Sequence, residues 1–168
     1  MFEKVLQGVA RNLLVGGLAA GAMGCSGGGK PGDARAVAES FITALDRGDP
    51  NRFVAVLPPE DRLGTAFDCG RADTLRATIQ RRREDARSDL EARKAAGLRV
   101  KLTDFQPSEP SELGVGDVFH GCTVKASVGV QRAKVTFTLS RGGRADDVQE
   151  TWTFVRFEPG GPWYYMKL

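Results

Sequence analysis

The sequence contains few of the residues from which catalytic and metal sites are usually built. It has one histidine, His120, and three cysteines, with no C-x-x-C pair, nucleophile elbow, phosphate-binding loop or paired-carboxylate arrangement. A second histidine or a C-x-x-C pair would be needed to complete the four ligands of a zinc site. From these absences we expect no bound metal, no cofactor and no catalysis.

Long apolar runs and a large excess of one charge are also missing. No run of about 20 apolar residues is present, so we do not expect a membrane-spanning helix. The net charge of +3 is too small to predict nucleic-acid binding. The 168 residues, 41% hydrophobic and 27% charged, are typical of one globular domain preceded by a leader.

Residues 1–24 have the parts of an export signal peptide. Lys4 and Arg11 give a positive start, LLVGGLAAGAM forms a short apolar core, and small residues precede Cys25. The stretch AMGC resembles the lipobox of bacterial lipoproteins, although Ala22 stands where leucine is usual. The resemblance implies that Cys25 is lipidated and becomes the first residue of the mature protein. The alternatives are an ordinary cleaved signal, or an apolar helix whose cysteine is incidental.

The lipobox resemblance also implies a location in the cell envelope. The family's modification places three acyl chains on the cysteine, whereas one chain alone gives only marginal anchoring. Residues 25–32 would then form a flexible, glycine-rich tether. Ser26 stands where an aspartate commonly retains such proteins at the inner membrane. The resemblance therefore favours the outer membrane, with the domain facing the periplasm.

The two other cysteines form an even pair in a chain that we expect to be exported. In an oxidising compartment, such a pair predicts a disulfide between Cys69 and Cys122. The bridge would contribute roughly 4 kcal/mol on the chain-entropy model, whose mechanism is disputed. Two free thiols, or half of a metal site made by His120 and Cys122, are the alternatives.

Apolar spacing of three and four residues predicts helices before residue 97. Asp33 and Gly48 suit the caps of the first helix. The run Arg81–Arg83 is either an anion-binding patch or a solvated helix face, and Arg82 or Arg83 stands where the apolar stripe needs another apolar residue. The predicted elements are helices at 33–47, 50–57 and 72–96, with a loop between the last two.

From Leu98 onward the apolar period changes to two, which predicts antiparallel strands joined by turns. The predicted strands are 98–105, 117–131, 133–140, 148–157 and 163–168, with a proline-broken loop at 106–116. In the long strand 117–131, His120 and Cys122 share the inward face. The expected fold class is α+β, with N-terminal helices packed on a curved antiparallel sheet.

The stretch ARAVAESFITALDRGDPNRFVAVL and the ending GGPWYYMKL resemble small exported lipoproteins of the NTF2-like superfamily. The resemblance covers residues 33–168 by element order and implies a sheet that folds over helices into a cone with an open mouth. Many members bind a small apolar ligand in the cone or pair through the sheet, and a minority are enzymes. The long charged helix at 72–96 and the loop at 106–116 depart from the superfamily's pattern.

Aromatic residues alternate along the last two predicted strands. Trp152, Phe154, Trp163 and Tyr165 fall on one face, where they either form plain core or line a pocket for an apolar ligand, which the inward-facing His120 would share. The remaining aromatic and apolar side chains fall on the other face, where exposure would indicate a homodimer through the sheet. These residues are Phe119, Val155, Phe157 and Tyr164.

His120 is the residue on which a catalytic alternative depends. Enzymes of the resembling superfamily place an Asp and a His in the cone as acid and base. Asp117 lies three residues before His120 and so points to the opposite face of a regular strand, which leaves Asp104 or Glu150 as partners. We therefore predict a membrane-anchored lipoprotein with a non-catalytic binding or interaction domain. The alternatives are a carrier of a small apolar ligand and a SnoaL-like enzyme that uses His120.

Overall fold

The computed structural model of the protein describes residues 33–70 and 73–166. Two helices follow the first described residue, α1 (Ala34–Arg47) and α2 (Pro50–Ala55). The carboxylate of Asp33 accepts a hydrogen bond from the Arg35 N–H, and Gly48 ends α1 in the left-handed conformation at φ 66°. Both predicted caps of the first helix are therefore confirmed.

The predicted loop between the second and third helices is wrong. It contains a helix, α3 (Glu60–Ala66), followed by a two-residue strand, β1 (Phe67–Asp68). Two prolines and Gly64 read as loop signals, yet Pro59 is extended at the N-cap, where a proline does not interrupt the helix. Burial of Leu63 and Ala66 in the core holds this short segment in a helix.

The long charged helix is present as α4 (Thr74–Ala95), 22 residues in length. Its buried stripe is the predicted one and consists of Leu75, Ile79, Ala86 and Leu90. The remaining positions are largely charged and face outward. None of the helices in the described ranges is long and apolar enough to cross a bilayer.

A larger antiparallel sheet, here called the main sheet, follows the helices. Its strands are β2 (Arg99–Pro107), β6 (Val128–Arg141), β7 (Arg144–Arg156) and β8 (Tyr164–Met166), hydrogen-bonded in that order. The loop predicted at 106–116 contains a short strand, β3 (Ser111–Leu113), which pairs with β6 along the same edge as β2. Pro107 ends β2 at this edge, where strands tolerate proline.

The single long strand predicted at 117–131 is also wrong, because the chain turns back inside it. β4 (Val118–Phe119) and β5 (Cys122–Val124) form a hairpin, and only then does β6 begin. His120 and Gly121 make the two-residue turn with φ angles of 50° and 80°. Positive φ at both central residues is what a type I′ hairpin turn requires. With β1 pairing to β5, this hairpin completes a three-stranded small sheet.

The main sheet is covered on both sides at one end. Its helix-facing side carries Ala133, opposite Trp152, and these residues pack under α1 through Phe41. Its far side carries Val130 opposite Val155, because residues three apart on a strand point to opposite faces. On that side the small sheet covers the core.

The small sheet packs against part of the apolar surface expected on the outward face. The Phe67 ring lies 5.5 Å from that of Phe119 and 6.5 Å from that of Phe157, which follows β7. Phe119 and Val155 are buried, and Phe157 and Tyr164 are partly buried. Two of the four side chains that suggested a homodimer through the sheet are therefore covered within the chain, and the other two are covered in part.

Candidate functional site

The pairing predicted for Cys69 and Cys122 is confirmed. The two sulfur atoms are at disulfide distance, and the bridge connects the end of β1 to the start of β5, so it lies within the small sheet. Cys122 is buried, whereas Cys69 is partly exposed. A sulfur held in this bridge is not a thiolate ligand, so the metal half-site with His120 does not form. Across residues 33–70 and 73–166, no three His, Cys, Asp or Glu side chains converge as a metal site would require.

The structure does not place His120 on the inward face of a strand. It occupies the hairpin turn, and its ring meets Phe119 edge-on at 4.4 Å. Partial burial, together with the positive charge of Arg132, lowers the pKa of the imidazole. Within the described ranges no carboxylate accepts a hydrogen bond from this ring. The acid–base pair required by the catalytic alternative is not assembled.

The acidic residues considered as partners of His120 are engaged elsewhere. Asp117 accepts a hydrogen bond from the Gly114 N–H at 2.7 Å, and Asp104 accepts one from Gln106 Nε2 at 2.6 Å. Glu150 accepts a hydrogen bond from the indole N–H of Trp152 at 3.0 Å. Asp117 therefore binds a turn, Asp104 binds a side chain of its own strand, and Glu150 binds an indole ring. None of these three hydrogen bonds involves the imidazole.

The four aromatic residues proposed as a pocket lining are buried in the core. Trp152, Phe154, Trp163 and Tyr165 are each at most 6% exposed. Trp152 and Tyr165 have ring centres 4.8 Å apart, and both contact Phe41 of α1. Burial raises the pKa of the Tyr165 hydroxyl far above its ordinary value. The plain-core interpretation is the one that the packing supports.

An open groove lies at the rim of this core, where four elements of the chain meet. It encloses about 490 Å³ between α2, the start of α3, the middle of α4 and the first residue of β8. Its walls are mostly apolar, with one cation, one carboxylate and one phenol. The lining residues are Val54, Ala55, Leu57, Pro59, Glu60, Arg83 and Tyr164.

Arg83 is the residue that organises the groove. Its Nη2 atom donates hydrogen bonds to the carbonyl oxygens of Leu57 and Pro58, at 3.2 and 2.9 Å, and so fixes the turn between α2 and α3. Its Nε atom is buried without a hydrogen-bond partner among the described residues. No described acceptor reaches Nη1 either. The buried Nε is out of reach of a ligand, so the guanidinium keeps its Nη1 donors for a further acceptor.

The sequence contained a signal for Arg82 or Arg83 but none for the groove. A cation interrupting an apolar helix stripe marks a position that faces other parts of the chain, and Arg83 does contact the α2–α3 turn. Tyr164 and Glu60 carry no comparable signal. The groove also depends on an α3 helix that the sequence pattern did not predict.

Cys25, on which the anchor prediction depends, lies outside the described residues, as does the tether at 25–32. The helices and strands on which the superfamily resemblance depends begin at residue 33, where the described residues also begin. No protein-family model, curated protein or solved structure matches this chain.

Proposed function

We propose that the protein is a lipoprotein of the cell envelope, attached through Cys25, whose domain from residue 33 onward binds or interacts without catalysis. The observation that carries the proposal is the disulfide between Cys69 and Cys122. It accounts for two of the three cysteines and leaves Cys25 beside the apolar run and the small residues of the lipobox-like stretch.

The disulfide supports export because such bonds persist in oxidising compartments and are rare in the reducing cytosol. An exported chain with an unpaired cysteine needs a reason for that cysteine, and acylation supplies one. The Ser26 side chain after it favours the outer membrane over the inner membrane, with the domain in the periplasm.

A binding role without catalysis has the better support among the three functions considered. His120 lies in a turn and no carboxylate of the described residues orients it, so the SnoaL-like alternative lacks its acid–base pair there. The interior of the proposed NTF2-like cone is filled by Trp152, Tyr165 and their neighbours, so a carrier role in that space also loses support. Helices packed on an antiparallel sheet remain compatible with the superfamily.

The experiment is to compare the wild-type chain with the Cys25→Ala variant in the native host by intact mass and membrane fractionation. We expect the wild type to lose residues 1–24, gain acyl mass and sediment with membranes. The Cys25→Ala variant should lack the acyl mass and appear in the soluble fraction. Wild-type protein with an unmodified Cys25 would contradict the anchor.

Two matched variants separate acylation from sorting and folding. Ser26→Asp should keep the acyl mass but move the protein to the inner membrane, whereas Ser26→Ala should leave it at the outer membrane. Cys69→Ala together with Cys122→Ala should leave the membrane fraction unchanged, because the bridge is distant in sequence from the acylation site.

A further inference from the structure

We propose that the groove bounded by Arg83 and Tyr164 binds a small monocarboxylate with an apolar tail. This inference rests on the binding role proposed above but not on the membrane anchor. The groove lies at the rim of the core, beside the α2–α3 turn, and none of the four aromatic residues of the interior lines it.

The carboxylate would bind the Nη1 end of the Arg83 guanidinium, because Nε is buried and Nη2 already donates to two carbonyl oxygens. Two backbone carbonyls fix the group through Nη2, so its orientation is set before any ligand arrives. A half-buried guanidinium with unpaired N–H donors favours an oxyanion, because charge-assisted hydrogen bonds are stronger than neutral ones. In the described residues, Arg83 takes part in none of the ion pairs.

The other lining residues determine the rest of the ligand. Val54, Ala55 and Pro59 offer an apolar wall on which an alkyl or aryl tail can lie. Glu60 places a negative charge in the same groove, which disfavours a second carboxylate on the ligand. About 490 Å³ falls within the range of small-molecule sites, roughly 300–1,000 Å³. The chemistry therefore favours one negative charge at one end and apolar carbon beyond it.

The test is a titration of the full-length Cys25→Ala chain with octanoate, octanol and suberate, followed by NMR and calorimetry. This variant carries no acyl chains that would compete with octanoate for the groove. We expect saturable shifts at the Ala55 and Tyr164 amides with octanoate. Octanol, which lacks the charge, should bind roughly tenfold more weakly or worse. Suberate, which has a carboxylate at each end, should also bind more weakly than octanoate.

Variants at two neighbouring arginines test the role of the charge. Arg83→Gln should weaken octanoate binding by roughly tenfold or more. Arg81→Gln removes the same charge from an exposed position of α4 and should leave the affinity unchanged. Equal losses in the two variants would indicate a general charge effect and overturn the proposal, as would equal affinities for octanoate and octanol.

A second variant keeps the proposal testable if Arg83→Gln fails to fold. Ala55→Trp fills the groove from α2 and leaves the Arg83 bonds to the turn in place. It should abolish the octanoate shifts while the circular dichroism spectrum stays unchanged. Octanoate binding that survives in a folded Ala55→Trp chain would overturn the proposal. The fractionation of Cys25→Ala has a different readout, so failure of the anchor is distinguishable from failure of the groove.

Discussion

The two sides of the main sheet are closed in different ways. On the helix-facing side, α1 lies over β2 and β8, and large aromatic rings interlock with Phe41. On the far side, the small sheet has strands of only two or three residues and contains the disulfide. A large apolar interface holds the first side, whereas the second has little backbone pairing of its own.

The difference shows how each layer obtains its stability. A helix of 14 residues with a buried stripe gains most of its stability from packing. Strands as short as β1 and β4 make too few hydrogen bonds to be stable alone. The small sheet therefore depends on its covalent link and on the burial of Phe67 and Phe119 against the main sheet. Substitutions on the two sides should differ in how much they lower the free energy of unfolding and in how far their effects extend through the fold.

The largest effect should follow removal of a ring from the helix-facing side. Trp152→Ala leaves a cavity between α1 and β7, and large-to-small changes of this kind cost about 3–5 kcal/mol. Urea denaturation of both chains measures the difference. Val118→Ala is the control, since Val118 is 73% exposed and should change stability by less than about 0.5 kcal/mol. If Trp152→Ala lowers the free energy of unfolding by less than about 1 kcal/mol, the aromatic cluster is not what stabilises this side.

The next effect should come from removing the disulfide of the small sheet. Cys69→Ala together with Cys122→Ala should lower the free energy of unfolding by about 2–4 kcal/mol. Hydrogen exchange should quicken first at Phe67, Asp68 and the β5 amides, before it reaches the centre of β6.

The reductant control distinguishes the bridge from the side-chain change. A reductant should destabilise the wild type by a similar amount and have no effect on the double variant. If the amides of β6 and of the small sheet exchange at the same rate in the double variant, the two sides unfold as one cooperative unit. The small sheet would then not be the less stable side.

The helix-facing side could largely be predicted from the sequence, because its signals are local. Asp33, Gly48 and the stripe of α4 are each defined by a few neighbouring residues, and all appear where expected. In β2, the alternation of apolar residues does not fully predict which side chains face the core. A register shift between Leu102 and Asp104 turns Phe105 inward, which strict alternation would not do.

The far side could not be predicted, because it is held by contacts between distant segments. Cys122, Val124, Val128 and Val130 keep an alternating pattern across a turn and a break, so a hairpin and a strand read as one strand. Histidine is not a preferred residue of a type I′ turn, so His120 did not indicate a turn at this position. The groove combines residues from 54 to 164 and could not be predicted for the same reason, although the apolar stripe pointed to Arg82 or Arg83.

A smaller effect should appear at the ion pair that ties α1 to β2. The Asp46 carboxylate accepts hydrogen bonds from Arg99 Nε and Nη2 and from the Val100 N–H, at 2.8–3.0 Å. The side-chain hydrogen bond from Arg99 is the main cause that lowers the pKa of Asp46 in the folded chain. Because the folded pKa is depressed, this stabilisation is present above the unfolded pKa and is lost as pH falls through the folded pKa.

Asp46→Asn should therefore cost about 1 kcal/mol at pH 7, a modest value because Arg99 is largely exposed. Urea midpoints measured from pH 7 down to pH 2 should show a shallower acid decline in the variant than in the wild type. Glu39→Gln, which removes an exposed ion pair within α1, is the matched control and should leave the slope unchanged. Parallel acid declines in wild type and Asp46→Asn would contradict this account.

The smallest effect, and the one of opposite sign, should occur at the turn of the small sheet. His120 is the only described non-glycine residue with positive φ, a conformation that asparagine adopts more readily. His120→Asn creates the Asn-Gly pair favoured in type I′ turns and loses only the edge contact with Phe119, so we expect a gain of about 0.5 kcal/mol. Gly121→Ala should instead lose about 1 kcal/mol, because φ of 80° is strained for alanine. Opposite shifts of the two thermal midpoints would show that backbone conformation, and not imidazole chemistry, sets what this turn accepts. A His120→Asn chain less stable than wild type would show that the ring contact with Phe119 outweighs the strain, and the small sheet would then depend on side-chain packing at its turn as the helix-facing side does at Trp152.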